Sequence, residues 1–168
     1  MDIPTLHIPK VYRDSRGYFL ETYNRRVIRE LGIFKEFVQD NHSYSERDVL
    51  RGLHYQTIQP QGKLVTVIVG EILDVAVNLT TGAWWSFVLS EENKNSLWIP
   101  QGFAHGFYVR SECAHVIYKA TDFYSPESEH TILWNDPVLS IDWQLRTEPI
   151  VSEKDQKGTS WGLRKLGL

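Results

Sequence analysis

The feature that most constrains this chain is a series of short segments rich in Val, Ile, Tyr, Phe and Trp, each soon ended by a turn former. The segments are Thr5–Val11, Phe37–Tyr44, Leu64–Val69, Glu71–Leu79, Trp84–Leu89, Ser96–Ile99, Gly106–Val109, Ala114–Ala120 and Thr131–Trp134. Gly17, Gly52, Gly62, Gly70, Gly82, Asn93–Asn95, Pro100, Gly102, Pro126 and Pro137 punctuate them. β-Branched and aromatic side chains suit a pleated surface, and many short strands with frequent turns predict a sandwich or barrel. Only Thr22–Leu31 reads as a helix, with Gly32 as its C-terminal stop. Alternation runs through Lys63–Val69 and, less regularly, through Glu71–Leu79, so Gly70 between them predicts a tight hairpin. The expectation is an all-β fold with a few short helices.

The 168 residues suit one domain, with a core over about 1–145 and a polar C-terminal tail over about 146–168. Net charge is −3, so no broad basic field invites nucleic acid, and a phosphate-bearing ligand would need a local cluster of Arg and Lys. No apolar stretch approaches the ~20 residues of a membrane helix. The start Met-Asp-Ile-Pro-Thr-Leu shows no basic-then-apolar leader, and a soluble, cytoplasmic protein is expected. The single cysteine, Cys113, cannot form an internal disulfide, and its neighbours Ser111, Ala114 and Val116 make it read as a buried small hydrophobe.

Five clusters carry possible chemistry. In Arg51-Gly52-Leu53-His54-Tyr55-Gln56, regular strand alternation would put Arg51 and Leu53 on one face and Gly52 and His54 on the other, unless a bend at Gly52 displaces Leu53. His54 would suit a base at neutral pH, with an unperturbed pKa of about 6.5. Its plainer reading is a hydrogen-bonded core histidine. Pro100-Gln101-Gly102-Phe103-Ala104-His105 is one half of the metal-site pattern of a cupin barrel. The other half needs two histidines separated by one residue, yet Gln56 stands where the second would be, so the pattern argues for cupin architecture without its metal. Lys63, in Gln61-Gly62-Lys63, is either a solvated turn residue or an inward cation facing developing negative charge. Tyr118 and Tyr124 lie in an aromatic stretch ending at Pro126, where packing is the commoner role. In Asp14–Glu21, Gly17, Phe19 and Glu21 share a face that could hold a nucleobase, and Arg16 could meet phosphate; a hairpin with a solvated Arg accounts for the same residues.

Taken together, Asp14–Glu21, Gln39–Gln56, Gly62–Leu79, Leu89–Val109 and Tyr118–Trp143 resemble the dTDP-4-dehydrorhamnose 3,5-epimerase family. Arg-Gly-Leu-His, Ile-Pro-Gln-Gly-Phe-Ala-His-Gly-Phe and Trp-Asn-Asp-Pro are specific as a set. The resemblance implies a homodimeric cupin-type jelly-roll barrel that uses no cofactor and no metal. It also implies roles: His54 as general base, Asp155 as the carboxylate that orients it, Lys63 as stabiliser of an enolate, and Tyr124 as acid on the opposite face. Arg16, Phe19, Glu21, Gln39, Asn41, Arg51 and His105 would bind the substrate, with Phe19 and Glu21 reaching the partner subunit's site. The implied reaction inverts C3 and C5 of dTDP-4-dehydro-6-deoxy-D-glucose. The stretch Asn78–Trp85 is shorter than the family's usual connection, with no catalytic residue lost.

Rival readings are a C3-only epimerase, an epimerase of another nucleotide sugar such as a CDP-linked one, a ketoisomerase, a metal-dependent cupin oxygenase and a non-catalytic sugar-nucleotide binding module. His54, Lys63 and Tyr124 together weigh against the last.

Overall fold

The structure, a computed structural model, describes residues 3–162. In chain order its elements are β1 (Thr5–His7), β2 (Val11–Asp14), β3 (Gly17–Leu20), α1 (Arg25–Glu30), β4 (Gln39–Glu46), β5 (Val49–Gln56), β6 (Lys63–Val69), β7 (Glu71–Asn78), β8 (Trp84–Ser90), β9 (Ser96–Ile99), β10 (Phe103–Val109), β11 (Cys113–Ala120), β12 (Glu129–Thr131), β13 (Ile150–Val151) and α2 (Glu153–Gln156). A first sheet runs β1-β9-β6-β11-β4, and a second runs β12-β5-β10-β7-β8 with β13 parallel to β5. The hairpin β2–β3 pairs with neither. Among the described residues no helix is long and apolar enough to cross a membrane.

Two apolar layers hold this arrangement. Between the sheets lie Val65, Val67, Leu97, Ile99, Ala114 and Val116 from the first, against Ile72, Ala76, Phe103, Phe107 and Val109 from the second. Behind the second sheet, Leu50, Leu53, Leu73, Val75, Val77 and Tyr108 pack under Ile132, Leu139, Trp143 and Trp161 from the C-terminal segment. β7 is therefore covered on both faces, which is why seven of its eight residues are buried and its sequence alternates poorly.

Several expectations change. Gly70 makes no hairpin: β6 pairs with β9 and β11, whereas β7 pairs with β8 and β10, so Gly70 (φ +84°) is a crossover between sheets. A Cβ there would lie 2.0 Å from the Cys113 carbonyl oxygen, which explains the glycine. The helix begins at Arg25 rather than Thr22 because Asn24 takes the N-cap, accepting from Arg26 N–H at 3.0 Å. Cys113 is partly exposed rather than buried. The short Asn78–Trp85 connection closes as a tight turn, with the Asn78 side chain accepting from the Thr80 and Thr81 amides. The segment beyond 145 supplies β13, α2 and the buried Trp161, and so covers the outer face of the second sheet. Residues 163–168 of that segment lie outside the described part.

The decisive local feature is at Gly52. On β10, His105 pairs with His54 and Phe107 with Arg51, so three steps on β5 match two on β10. This one-residue bulge breaks alternation. Leu50 and Leu53, three apart, both join the outer layer, and Arg51 and His54 both face inward. The expected opposition of Arg51 and His54 is thereby reversed. Glycine is required: φ is +123°, and a Cβ at Gly52 would sit 2.6 Å from Gly106 Cα.

Candidate active site

At one end of the space between the sheets is a cavity of about 80 Å³, lined by His54, Gln56, Lys63, Tyr118, Tyr124 and Glu129 together with Gln61, Leu79 and Phe103. The second sheet supplies His54 and Gln56 from β5 and Glu129 from β12. The first supplies Lys63 from β6 and Tyr118 from β11. The cavity walls thus carry different chemistry: an imidazole on one side, an amine and a phenol on the other. A larger depression of about 690 Å³ adjoins it through Gly102 and Phe103, and it contains none of these ionisable groups.

His54 Nε2 lies 2.6 Å from Asp155 Oδ1. Asp155, in α2, is 3% exposed. Its Oδ2 accepts the Gly52 amide at 3.1 Å, and Ser152 Oγ accepts the Asp155 amide at 3.2 Å. Burial alone would raise the carboxyl pKa, but the hydrogen bond and charge of His54 with the Gly52 amide outweigh it and hold the pKa below the usual value. The carboxylate accepts a hydrogen bond from Nε2–H, leaving Nδ1 as the basic nitrogen.

Lys63 starts β6, with Nζ 5.8 Å from the centre of the Tyr118 ring. Burial pushes its pKa down to about 8, against the attraction of Asp74 and Glu129. Tyr118 is mostly buried, and desolvation with the Glu129 charge raises its pKa. No described residue accepts a hydrogen bond from its hydroxyl. Tyr124 differs: its ring is half exposed, and its hydroxyl donates to Glu129 Oε2 at 2.6 Å, which with burial lifts its pKa to about 12. Glu129 is itself paired with Lys154.

The other sequence-derived site residues divide into three groups. Gln39, Asn41 and Arg51 gather beside the cavity. Gln39 donates to Asn41 Oδ1 at 2.8 Å and accepts the Tyr124 amide at 3.0 Å, and Arg51 Nε donates to Ser45 Oγ at 2.8 Å. His105 does not line the cavity. It is 7% exposed, with Nε2 held by both oxygens of the fully buried Asp74 at 2.9 and 3.0 Å, and burial lowers its pKa. Arg16, Phe19 and Glu21 stay away from this chain's cavity. Arg16 pairs with Asp14, Phe19 is 67% exposed on the β2–β3 hairpin, and Glu21 accepts from Asn24. Sequence reasoning missed Glu129 and Asp74 and left Tyr118 to packing. The Tyr-Lys-Ala run in β11, on the sheet facing that of His54, had no signal of its own.

For a metal, His54 and His105 each have Nε2 engaged by a carboxylate, and the Gln56 amide is engaged by backbone groups. Among the described residues no group of three or more His, Cys, Asp or Glu could hold an ion.

The family model for dTDP-4-dehydrorhamnose 3,5-epimerase matches residues 3–162. The chain belongs to the dTDP-4-dehydrorhamnose 3,5-epimerase family. It is 55% identical over 159 residues to the Pseudomonas aeruginosa epimerase of that name, covering 91% of this chain and 88% of the relative. It is 53% identical over 154 residues to the Salmonella typhimurium one, covering 88% and 84%. A dTDP-6-deoxy-D-glucose-3,5-epimerase from Legionella pneumophila, solved with dTDP-4-keto-L-rhamnose, superposes with a TM-score of 0.93 at 48% identity, covering 97% of this chain and 90% of that one. The expected all-β jelly-roll barrel of this epimerase family is the fold found.

Proposed function

We propose that the protein epimerises C3 and C5 of dTDP-4-dehydro-6-deoxy-D-glucose to give dTDP-4-dehydro-L-rhamnose. Family membership supports the substrate. The observation that carries the mechanism is that His54 from one sheet, Lys63 from the facing sheet and Tyr124 all line a single cavity. Inversion needs a base on one side of the sugar ring and an acid on the other.

His54 Nδ1 takes the proton from the carbon next to the C4 ketone, and the C–H electron pair moves to the C4 oxygen. The resulting imidazolium is stabilised by Asp155. The Lys63 ammonium meets the enolate oxygen, an electrostatic contribution typically on the order of 10²–10³-fold in rate. As the enolate collapses, a phenol delivers a proton to the opposite face of the same carbon, and the phenolate is reprotonated before the next cycle. For this acid the reading takes Tyr124, which lines the cavity with His54 and Lys63. Its hydroxyl donates to Glu129 Oε2 at 2.6 Å, so the phenol is held protonated before the transfer. Its half-exposed ring also offers a surface for the substrate at the mouth. In this reading the sugar ring enters the cavity and the nucleotide stays outside it. There Gln39, Asn41 and Arg51 supply amide and guanidinium donors.

The β2–β3 hairpin supports a two-subunit site. It stands apart from both sheets with Tyr12, Tyr18 and Phe19 exposed, and β4 ends the first sheet with an unpaired edge. In this reading the hairpin of one copy brings Arg16, Phe19 and Glu21 to the nucleotide of the other in a homodimer.

The test is NMR in D₂O with dTDP-4-keto-6-deoxyglucose and no added metal or cofactor. Deuterium at both C3 and C5 with formation of the L-sugar is expected. Deuterium at C3 alone would replace the reading by a single-centre epimerase, and none at either would overturn it.

A further inference from the structure

We propose that Gln56 is a positioning residue: it fixes the segment carrying Tyr124 over the cavity, so that the strand bearing His54 also sets the shape of the cavity mouth. Gln56 ends β5, two residues after His54, and is 7% exposed. Its Oε1 accepts the Ser125 amide at 3.0 Å, and its Nε2 donates to the Phe123 carbonyl at 3.1 Å and the Gln59 carbonyl at 2.8 Å. The peptide units on either side of Tyr124 are thus both tied to one side chain. Gln39 Oε1 holds the Tyr124 amide between them, and Glu129 holds the phenol. A half-exposed ring on an irregular segment would otherwise sample several poses. Here its backbone is fixed at three successive residues.

The chemistry of the carboxamide explains the residue. Holding two carbonyls and one amide from a single point needs two donors and one acceptor, which Gln supplies in full. Glu at this position would keep the acceptor and lose both donors, Met would keep only the length, and Asn would fall short by one methylene. Both Nε2 protons are used, so the group faces the backbone rather than the sugar. Gln56 therefore acts on the reaction through Tyr124.

The inference rests on Tyr124 contacting the sugar nucleotide, and the experiment separates the two. Gln56→Met, Gln56→Glu and Tyr124→Ala are made singly, together with the Gln56→Met/Tyr124→Ala double variant. Amide hydrogen exchange and steady-state turnover are measured at a temperature where all are folded. Gln56→Met is expected to remove protection from the Ser125 amide while β5–β10 pairing keeps its own, and to lower kcat/KM about tenfold. Gln56→Glu should fall between wild type and Gln56→Met. In the Tyr124→Ala background, Gln56→Met should change kcat/KM by less than about twofold. An unchanged kcat/KM in Gln56→Met where Tyr124→Ala lowers it, an equal factor with and without the Tyr124 ring, or a loss of protection throughout the sheets would overturn the positioning role. Loss of Ser125 protection with kcat/KM unchanged in both Gln56→Met and Tyr124→Ala would instead locate the failure in Tyr124's contact with substrate.

Discussion

His54 Nε2 and Asp155 Oδ1 meet at 2.6 Å across 101 positions of sequence, and the second oxygen of the same carboxylate holds the Gly52 amide. One buried carboxylate therefore sets both the ring orientation of the base and the backbone bulge from which that base projects. Replacing Asp155 with Asn removes the charge that favours the imidazolium and frees the tautomer. A fall in kcat on the order of 10²–10⁴-fold is expected, by analogy with orienting carboxylates in other sites. Turnover within a few-fold of wild type would detach Asp155 from the chemistry. Because the native carboxyl pKa is depressed, Asp155 contributes stability above its unfolded pKa and loses it as pH falls through the native value. Asp155→Asn should therefore weaken the acid limb of the unfolding profile.

His54→Ala should abolish solvent deuterium incorporation at C3 and C5 yet leave dTDP affinity within a few-fold, since Gln39, Asn41 and Arg51 remain. Calorimetric titration with dTDP alongside the exchange assay checks this. Full exchange in the variant would sink the base assignment.

The two tyrosines separate in one experiment. Tyr124→Phe should preserve proton abstraction, seen as exchange into recovered substrate, while product formation slows by about 10²-fold or more. Tyr118→Phe leaves that donor in place, so inversion should fall far less. The reverse order of effects would move the acid role to Tyr118.

Lys63 predicts an alkaline limit. Its native pKa of about 8 lies below the ordinary lysine value because of burial, so the cation is present below that pH and disappears as pH rises through it. kcat should decline above about pH 8 as enolate stabilisation is lost. Lys63→Met should show low activity at every pH with that limb missing. A rate still rising at pH 9 in the wild-type protein would exclude a required ammonium.

Gly52→Ala should be severely destabilising. The residue has φ +123°, and its Cβ would meet Gly106 Cα at 2.6 Å and the His105 carbonyl oxygen at 2.8 Å, all backbone atoms that cannot swing away. A loss of about 3 kcal/mol or more is expected, combining overpacking with backbone strain. Thermal unfolding checks it, and a midpoint within about 2 °C of wild type would contradict the close packing of β5 on β10.

The strand-rich fold was legible because β-branched and aromatic runs survive wherever a strand packs one face on a core, as in β8 and β11. β5 escaped that pattern. Its inward positions are Arg51, His54 and Gln56, polar because they face the site, and its bulge cancels the period of two. The Gly70 hairpin was misread because alternation reports faces and not partners: strands consecutive in sequence here enter opposite sheets. Among the site residues, His54 and Lys63 stood out through the family resemblance, since their glycine-flanked motifs alone fit a core histidine and a solvated turn lysine equally. Tyr118 did not, since an aromatic within a strand looks the same whether its hydroxyl faces solvent, core or substrate. Glu129 and Asp74 stood in segments without any motif, and only the pairing of β12 with β5 and of β7 with β10 brings them beside His54 and His105.

The parallel pairing of β13 with β5 has a temporal side. Synthesis runs from the N-terminus, so His54 is made long before Asp155. Until Ile150 and Val151 dock beside Val49 and Leu50, the imidazole has no carboxylate to fix its tautomer. Catalytic competence thereby becomes a report that the last strand has arrived.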